Sequence, residues 1–206
     1  MVITVGREFG AGGSLVAARV AELLGWTLVD NDLVQRVAAR ADLPIKEVAE
    51  QEEWAPGFLQ RLARVLTASA PPITTSEDTG QHEIEERRIV RTTEAIVREL
   101  AAEGRKVLVG HAAPVVLGQR ANMLHVRLVA PKEFRVGIAS QRMGLSTAEA
   151  QHLVEQKDAA RIRYHQLYYQ RDARDPLNYD LVINTGRTGF EGAADIIVAR
   201  ARAMGW

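Results

Sequence analysis

The stretch that decides the fold is VITVGREFGAGGSLVAARVAELLGWTLVD, residues 2–30. It opens on a β-branched apolar run, passes through Gly10, Gly12 and Gly13, and continues as an apolar pattern of helical spacing. Leu15, Ala18 and Leu23, with Val16, Val20 and Leu24, recur near that spacing, which places Ser14 as the helix N-cap and Gly25 as its stop. WTLVD then supplies a second strand. Strand, glycine loop, helix and strand in this order expose backbone N–H groups at a helix N-terminus, where aligned peptide dipoles favour phosphate.

The glycine loop fits two templates in part. Against the phosphate-loop pattern G-x-x-x-x-G-K-[ST], Gly12 and Ser14 match, but Arg7 stands at the first glycine and Gly13 at the lysine. Against the dinucleotide pattern G-x-G-x-x-G, Gly10 and Gly12 match and Asp30 lies near the ribose-binding distance, but Leu15 fills the third glycine position. A structural turn without a ligand is the third reading. The distant part of the chain favours the first. Ser146 and Glu149 form a capping box that opens a helix through AEAQHLVEQKDAARIRYHQLYYQ, in which Lys157, Arg161 and His165 follow at intervals of four. Spacing alone reads this stripe as a solvated face with local ion pairs. Phosphoryl transfer, unlike dinucleotide binding, has a use for such positive groups, because charge on the moving phosphoryl must be neutralised.

The other strand-length runs are KVLVG (106–110), MLHVRLV (123–129) and YDLVIN (179–184). Five strands separated by helical patterns predict a mainly parallel sheet covered on both faces, since parallel neighbours need crossover connections. Residues 31–103 read as a long, mostly helical excursion, broken at WAPG (54–57) and at a loop SAPPITTSEDTG (69–80). The chain of 206 residues, 47% hydrophobic, suits one α/β domain. Lysine plus arginine equals aspartate plus glutamate at 26 each, so no global basic field recruits nucleic acid and any anion site is a local cluster. The absence of cysteine excludes disulfides, thiolate zinc sites and cysteine nucleophiles. With no signal core and no apolar run of about 18 residues, the expectation is a soluble cytoplasmic protein without membrane partners. His82, His125, His152 and His165 lack metal-ligand spacing, and Trp26 and Trp54 read as packing residues. Nothing in the sequence specifies an oligomeric state.

REFGAGG (7–13), LVDNDLVQRVA (28–38), VLVG (107–110), DAARIRY (158–164) and DPLNYDLVINT (175–185) occur in the order seen in the cytidylate-kinase-like proteins of the P-loop nucleoside monophosphate kinases, and the chain resembles that family over nearly its full length. Its loops without lysine are similar to this one. The resemblance implies a P-loop three-layer α/β sandwich with a five-stranded parallel sheet, in a single domain over 1–206. It also implies a helical acceptor-binding insertion at 31–103 and a lid region at 144–175. Gly10, Ala11, Gly12, Gly13 and Ser14 would surround the phosphates of ATP, with the Ser14 hydroxyl on magnesium. Arg7 is the candidate for the missing lysine charge, the alternative being an ion pair with Glu8 or Asp30. Asp30, Asp32 and Arg36 fall in the segment that contacts the acceptor, although Asp32 equally suits a helix N-cap. Asp158 and Arg161 match an Asp-x-x-Arg pair that reaches the acceptor, and Arg7, Arg161 and Asp30 form the expected catalytic set. Arg142 falls where such kinases place an arginine over the donor, or is a solvent-facing helix-end residue. One departure concerns the acceptor: related sequences carry Gly-Arg after VLVG, and this chain has Gly110-His111. A mostly neutral imidazole lacks the bidentate fork of arginine. The expected reaction is phosphoryl transfer from magnesium ATP to a nucleoside monophosphate, CMP or dCMP first. A nucleotide-binding sensor without transfer, or a kinase for another small acceptor, are the alternatives.

Overall fold

A computed structural model describes residues 1–30, 40 and 76–206. Two compact units divide the chain, Met1–Asp30 with Val97–Trp206 and, separately, Asn31–Ile96. In the second unit the described residues are Arg40 and the helical residues 76–96.

The first unit is built on five parallel strands: β1 (Val2–Arg7), β2 (Thr27–Val29), β3 (Lys106–Val109), β4 (Met123–Val129) and β5 (Leu181–Asn184), in spatial order β2-β3-β1-β4-β5. In β1, Val5 pairs with Val109 of β3 and Arg7 with Leu128 of β4, so the strand that feeds the glycine loop is central. Alternation sorts the side chains between two faces. Ile3, Val5, Val107, Val109, Leu124, Val126 and Leu128 share one buried cluster with α1 (Gly13–Leu24) and α6 (Thr185–Ala203). The neighbouring positions Val2, Thr4, Leu108, His125 and Arg127 are buried as well. Burial on both faces is why these strands are near-continuous apolar runs. On that second face Thr4 Oγ1 lies 2.7 Å from His125 Nδ1, and His125 Nε2 lies 3.0 Å from Gly118 O. His125 is therefore a satisfied core residue, as the sequence suggests.

The remaining described α-helices are α2 (Ser76–Glu103), α3 (Ala113–Leu117), α4 (Lys132–Met143) and α5 (Thr147–Tyr169), and a 3-10 turn spans Pro176–Asn178. Val136 and Ala139 of α4 pack with Ala150 and Val154 of α5. The capping box forms as expected, with Ser146 Oγ accepting from Glu149 N–H and the Glu149 carboxylate accepting from Ser146 N–H. Two expectations are corrected. Helix α2 begins at Ser76, so SEDTG is helical and not part of a loop. Ser14 is not the cap of α1. The cap position is Gly12, in the left-handed conformation, and Ser14 lies one residue inside the helix. Gly25 does end α1, with φ of 65°. The indole of Trp26 packs against that of Trp206 with ring centroids 5.8 Å apart. Among the described residues no helix is long and apolar enough to cross a membrane.

Candidate functional site

Parallel strands place all their carboxyl ends on one edge of the sheet, and the connections leaving β1, β3, β4 and β5 meet there. The glycines of the first connection are there for close approach. Gly10 and Gly12 have φ of 82° and 80°, a region that side chains rarely adopt. A Cβ at Gly10 would stand 2.6 Å from Arg135 O, and one at Gly12 would overlap the Phe190 ring. The loop is thus clasped between α4 and α6. Buried Thr185, the first residue of α6, donates its hydroxyl to Ala11 O at 3.0 Å and lies 3.3 Å from Val129 O. No side chain caps α1, and the exposed Ser14 stands on its first turn. A helix start without a side-chain cap leaves N–H groups that an anion can satisfy.

Behind the loop runs a largely buried ionic network. Glu8 accepts from Ala130 N–H at 3.1 Å and faces Arg135 at 3.3 Å and Arg127 at 3.9 Å. Arg135 donates to Ala130 O at 2.9 Å and Phe9 O at 3.1 Å, and pairs with Asp158. The other oxygen of Asp158 accepts from Phe9 N–H at 2.8 Å. Both carboxylate oxygens of Asp158 therefore hold the phosphate loop and its supporting arginine. Arg161 donates to Arg7 O at 3.2 Å and lies over the Phe9 ring, 5.8 Å from its centroid.

The Lys157–Arg161–His165 stripe corrects the reading of a solvated face. Lys157 is only 7% exposed, and Arg161 and His165 are half-buried. The stripe continues the line of Ala150 and Val154, which already faces α4, so it is the inner side of α5. The His165 imidazole is pushed down to about 4, first by burial and then by the Arg127 and Arg161 charges. Its buried Nδ1 has no hydrogen-bond partner. At neutral pH the stripe carries no charge at His165.

At the end of β3, Gly110, His111 and Ala112 have φ of 82°, 55° and 49° in succession. Left-handed backbone costs a side-chain-bearing residue roughly 1–2 kcal/mol, and the turn is closed by Ala113 N–H donating to Gly110 O at 3.0 Å. A Cβ at Gly110 would overlap Arg7 Nη1, so the Arg7 guanidinium lies at this strand end. Asp30 follows β2, half-buried, on the same edge. Arg142 lies in the exposed last turn of α4. Asp32, Arg36 and Trp54 lie outside the described residues, and the side chain of His82 does too.

The structure adds Glu8, Arg127, Arg135, Tyr179 and Thr185 to this set. Arg127 Nη1 and Tyr179 Oη both donate to Ala173 O, at 2.7 and 2.8 Å, and Arg127 lies over the Tyr179 ring. A charged residue inside the apolar run MLHVRLV was the available signal for Arg127. For Arg135 it was a cation near a helix N-terminus, where the dipole disfavours it. Thr185 closes the DPLNYDLVINT segment, but nothing local marks its hydroxyl as a tie.

The profile of the cytidylate kinase-like family matches residues 2–187. The cytidylate kinase of Methanothrix thermoacetophila is 28% identical over 205 residues, 99% of each chain. Among solved structures, an uncharacterized protein from Eubacterium ventriosum has a TM-score of 0.71 at 22% identity, with 98% of this chain and 99% of that one covered. Shikimate kinase from Acinetobacter baumannii in complex with shikimate has a TM-score of 0.53 at 16% identity, with 98% and 92% covered. The sheet order, the glycine loop on the central strand and these likenesses establish a P-loop kinase fold, and with the match over residues 2–187 the chain belongs to the cytidylate kinase-like family of phosphotransferases.

Proposed function

We propose that the protein transfers the terminal phosphoryl group of magnesium ATP to a nucleoside monophosphate, CMP or dCMP in the first place. The observation that carries this reading is the hydrogen bond from Arg161 to Arg7 O. It holds the arginine of the Asp-x-x-Arg pair against the end of the strand that feeds the glycine loop, which supports a role for it between a donor at the loop and an acceptor. The share of each residue follows from its place. The first-turn N–H groups of α1 bind the donor phosphates, Arg161 offsets charge that develops on the phosphoryl group in flight, and Asp30 on the same edge orients the acceptor hydroxyl or phosphate. Asp158 positions, because its oxygens are engaged by Phe9 N–H and Arg135. No group of three or more acidic or histidine side chains that could hold a metal occurs among the described residues. Magnesium in such a reaction is held by few protein groups plus phosphate oxygens and water. Ser14, exposed on the first turn of α1, is the residue to contact it, and the ion supplies charge neutralisation of the phosphates.

His111 favours a second reading at the acceptor alone. With no arginine fork at that position, a different small acceptor would satisfy the same donor site. A panel of all nucleoside monophosphates with magnesium ATP, resolved by product chromatography beside an ATP-only control, decides the matter. Conversion of CMP or dCMP is expected, and Arg161→Ala should lower it at least about 100-fold in a folded protein. Conversion of a small hydroxy acid instead would move the acceptor; a flat panel with tight ATP binding would make the protein a nucleotide sensor.

A further inference from the structure

The loop lacks its lysine because another side chain fills the space. A Cβ built at Gly13 stands 2.8 Å from Arg7 Cγ, 2.9 Å from Cδ and 3.2 Å from Cβ. These atoms are the stem of Arg7, next to its own backbone in β1, and a stem cannot swing aside as a side-chain tip can. Gly13 is absent from the residues with positive φ, so its backbone asks for no glycine. The contact with Arg7 is then the reason for glycine there. At the other end of the same side chain, a Cβ at Gly110 would overlap Nη1 and lie 3.2 Å from Cζ. Arg7 runs from the first turn of α1 to the end of β3 between two glycines.

We propose that Arg7 takes the role of the phosphate-loop lysine, reaching the donor phosphates from the strand side, and that Gly13 and Gly110 are its steric complements. The proposal rests on the reading of the loop as a triphosphate site given above. A guanidinium stays charged at every working pH and offers a planar fork to two phosphate oxygens, which suits it to this substitution. Arginine and a side chain at position 13 exclude one another: the loop accommodates either Arg7 with Gly13 or a small residue at 7 with a lysine at 13.

The test is a double-mutant cycle on the whole chain, read by calorimetric binding of magnesium ATP and by thermal unfolding. Arg7→Ala should weaken binding at least about tenfold, as loss of a charge-assisted contact does, while Arg19→Ala on the outer face of α1 leaves it unchanged. Gly13→Lys should lower the unfolding temperature and lose binding. The double variant Arg7→Ala/Gly13→Lys should regain both, to within about tenfold of the wild-type affinity. Gly13→Ala, alone and with Arg7→Ala, repeats the steric half of the cycle with the smallest possible side chain. Arg7→Ala binding like wild type, or a double variant no better than Gly13→Lys, overturns the proposal. Absence of triphosphate binding by the wild type is a separate result and overturns the donor-site reading itself.

Discussion

His165 is a half-buried imidazole near the Arg127 and Arg161 charges, and its protonation is opposed by desolvation before anything else. In the unfolded chain it titrates near its ordinary value of 6.5, in the folded chain at about 4. Between those values the unfolded state binds more protons. The stability this residue contributes is thus complete above pH 6.5 and is lost as pH falls toward 4. From pH 6.5 to 5 the loss amounts to roughly 1.5 kcal/mol. Urea unfolding of wild type and His165→Phe across that range should show the wild type losing about that much more; parallel curves would mean that the protonated ring is accommodated without cost. Residue identity told little of this in advance. His165 was spaced as part of a basic stripe, and only the packing of α5 decides that the stripe is inward and the ring neutral. Asp158 is similar: its match to an acceptor-binding pair was legible, but its bond to Phe9, 149 residues away, was not.

At the scale of elements, the runs that became strands were legible because a parallel sheet buried on both faces selects β-branched residues at almost every position. MLHVRLV matches β4 from end to end. The start of α1 was misread because the usual sign of a cap is a side chain that accepts a hydrogen bond, whereas here the left-handed Gly12 does the turning and leaves the helix start without one. That arrangement makes the loop intolerant. Gly12→Ala puts a methyl group into the Phe190 ring and forces an L-residue to a φ of 80°. The variant should lose at least about 2 kcal/mol in chemical denaturation. Phe190→Ala in the same chain relieves the steric part, so the two substitutions should couple by about 1 kcal/mol or more. Strict additivity would show that α6 does not clasp the loop in solution. The kink at Gly189, where φ is 68° within α6, sets Phe190 at the start of the straight part of that helix.

For the molecule as a whole, the position of β1 between β3 and β4 determines where the fold opens last. Its residues 2–5 are fully buried, whereas the edge strand β2 has three residues with Thr27 exposed, and β5 has Val182 46% exposed. Native-state hydrogen exchange should find the amides of Ile3–Val5 and of β4 opening only with global unfolding, and those of β2 opening first. Equal protection of β2 would contradict this order. The fold class was legible from the order of strands, loop and helices. The ties that hold the functional edge together were not, since Glu8, Arg127, Arg135 and Asp158 come from four separate segments and periodicity carries no information on which charges meet.

The contact between Trp26 and Trp206 has an optical consequence. The chain has three tryptophans, two of them in a tilted ring contact where Trp206 meets Trp26 at the start of β2. In a Trp54→Phe chain all indole emission comes from this pair. Its far-ultraviolet circular dichroism then carries the exciton couplet of two coupled rings, which vanishes when they part. An experimenter following that signal watches Trp206 part from the start of β2, whatever the phosphate loop is doing on the far edge.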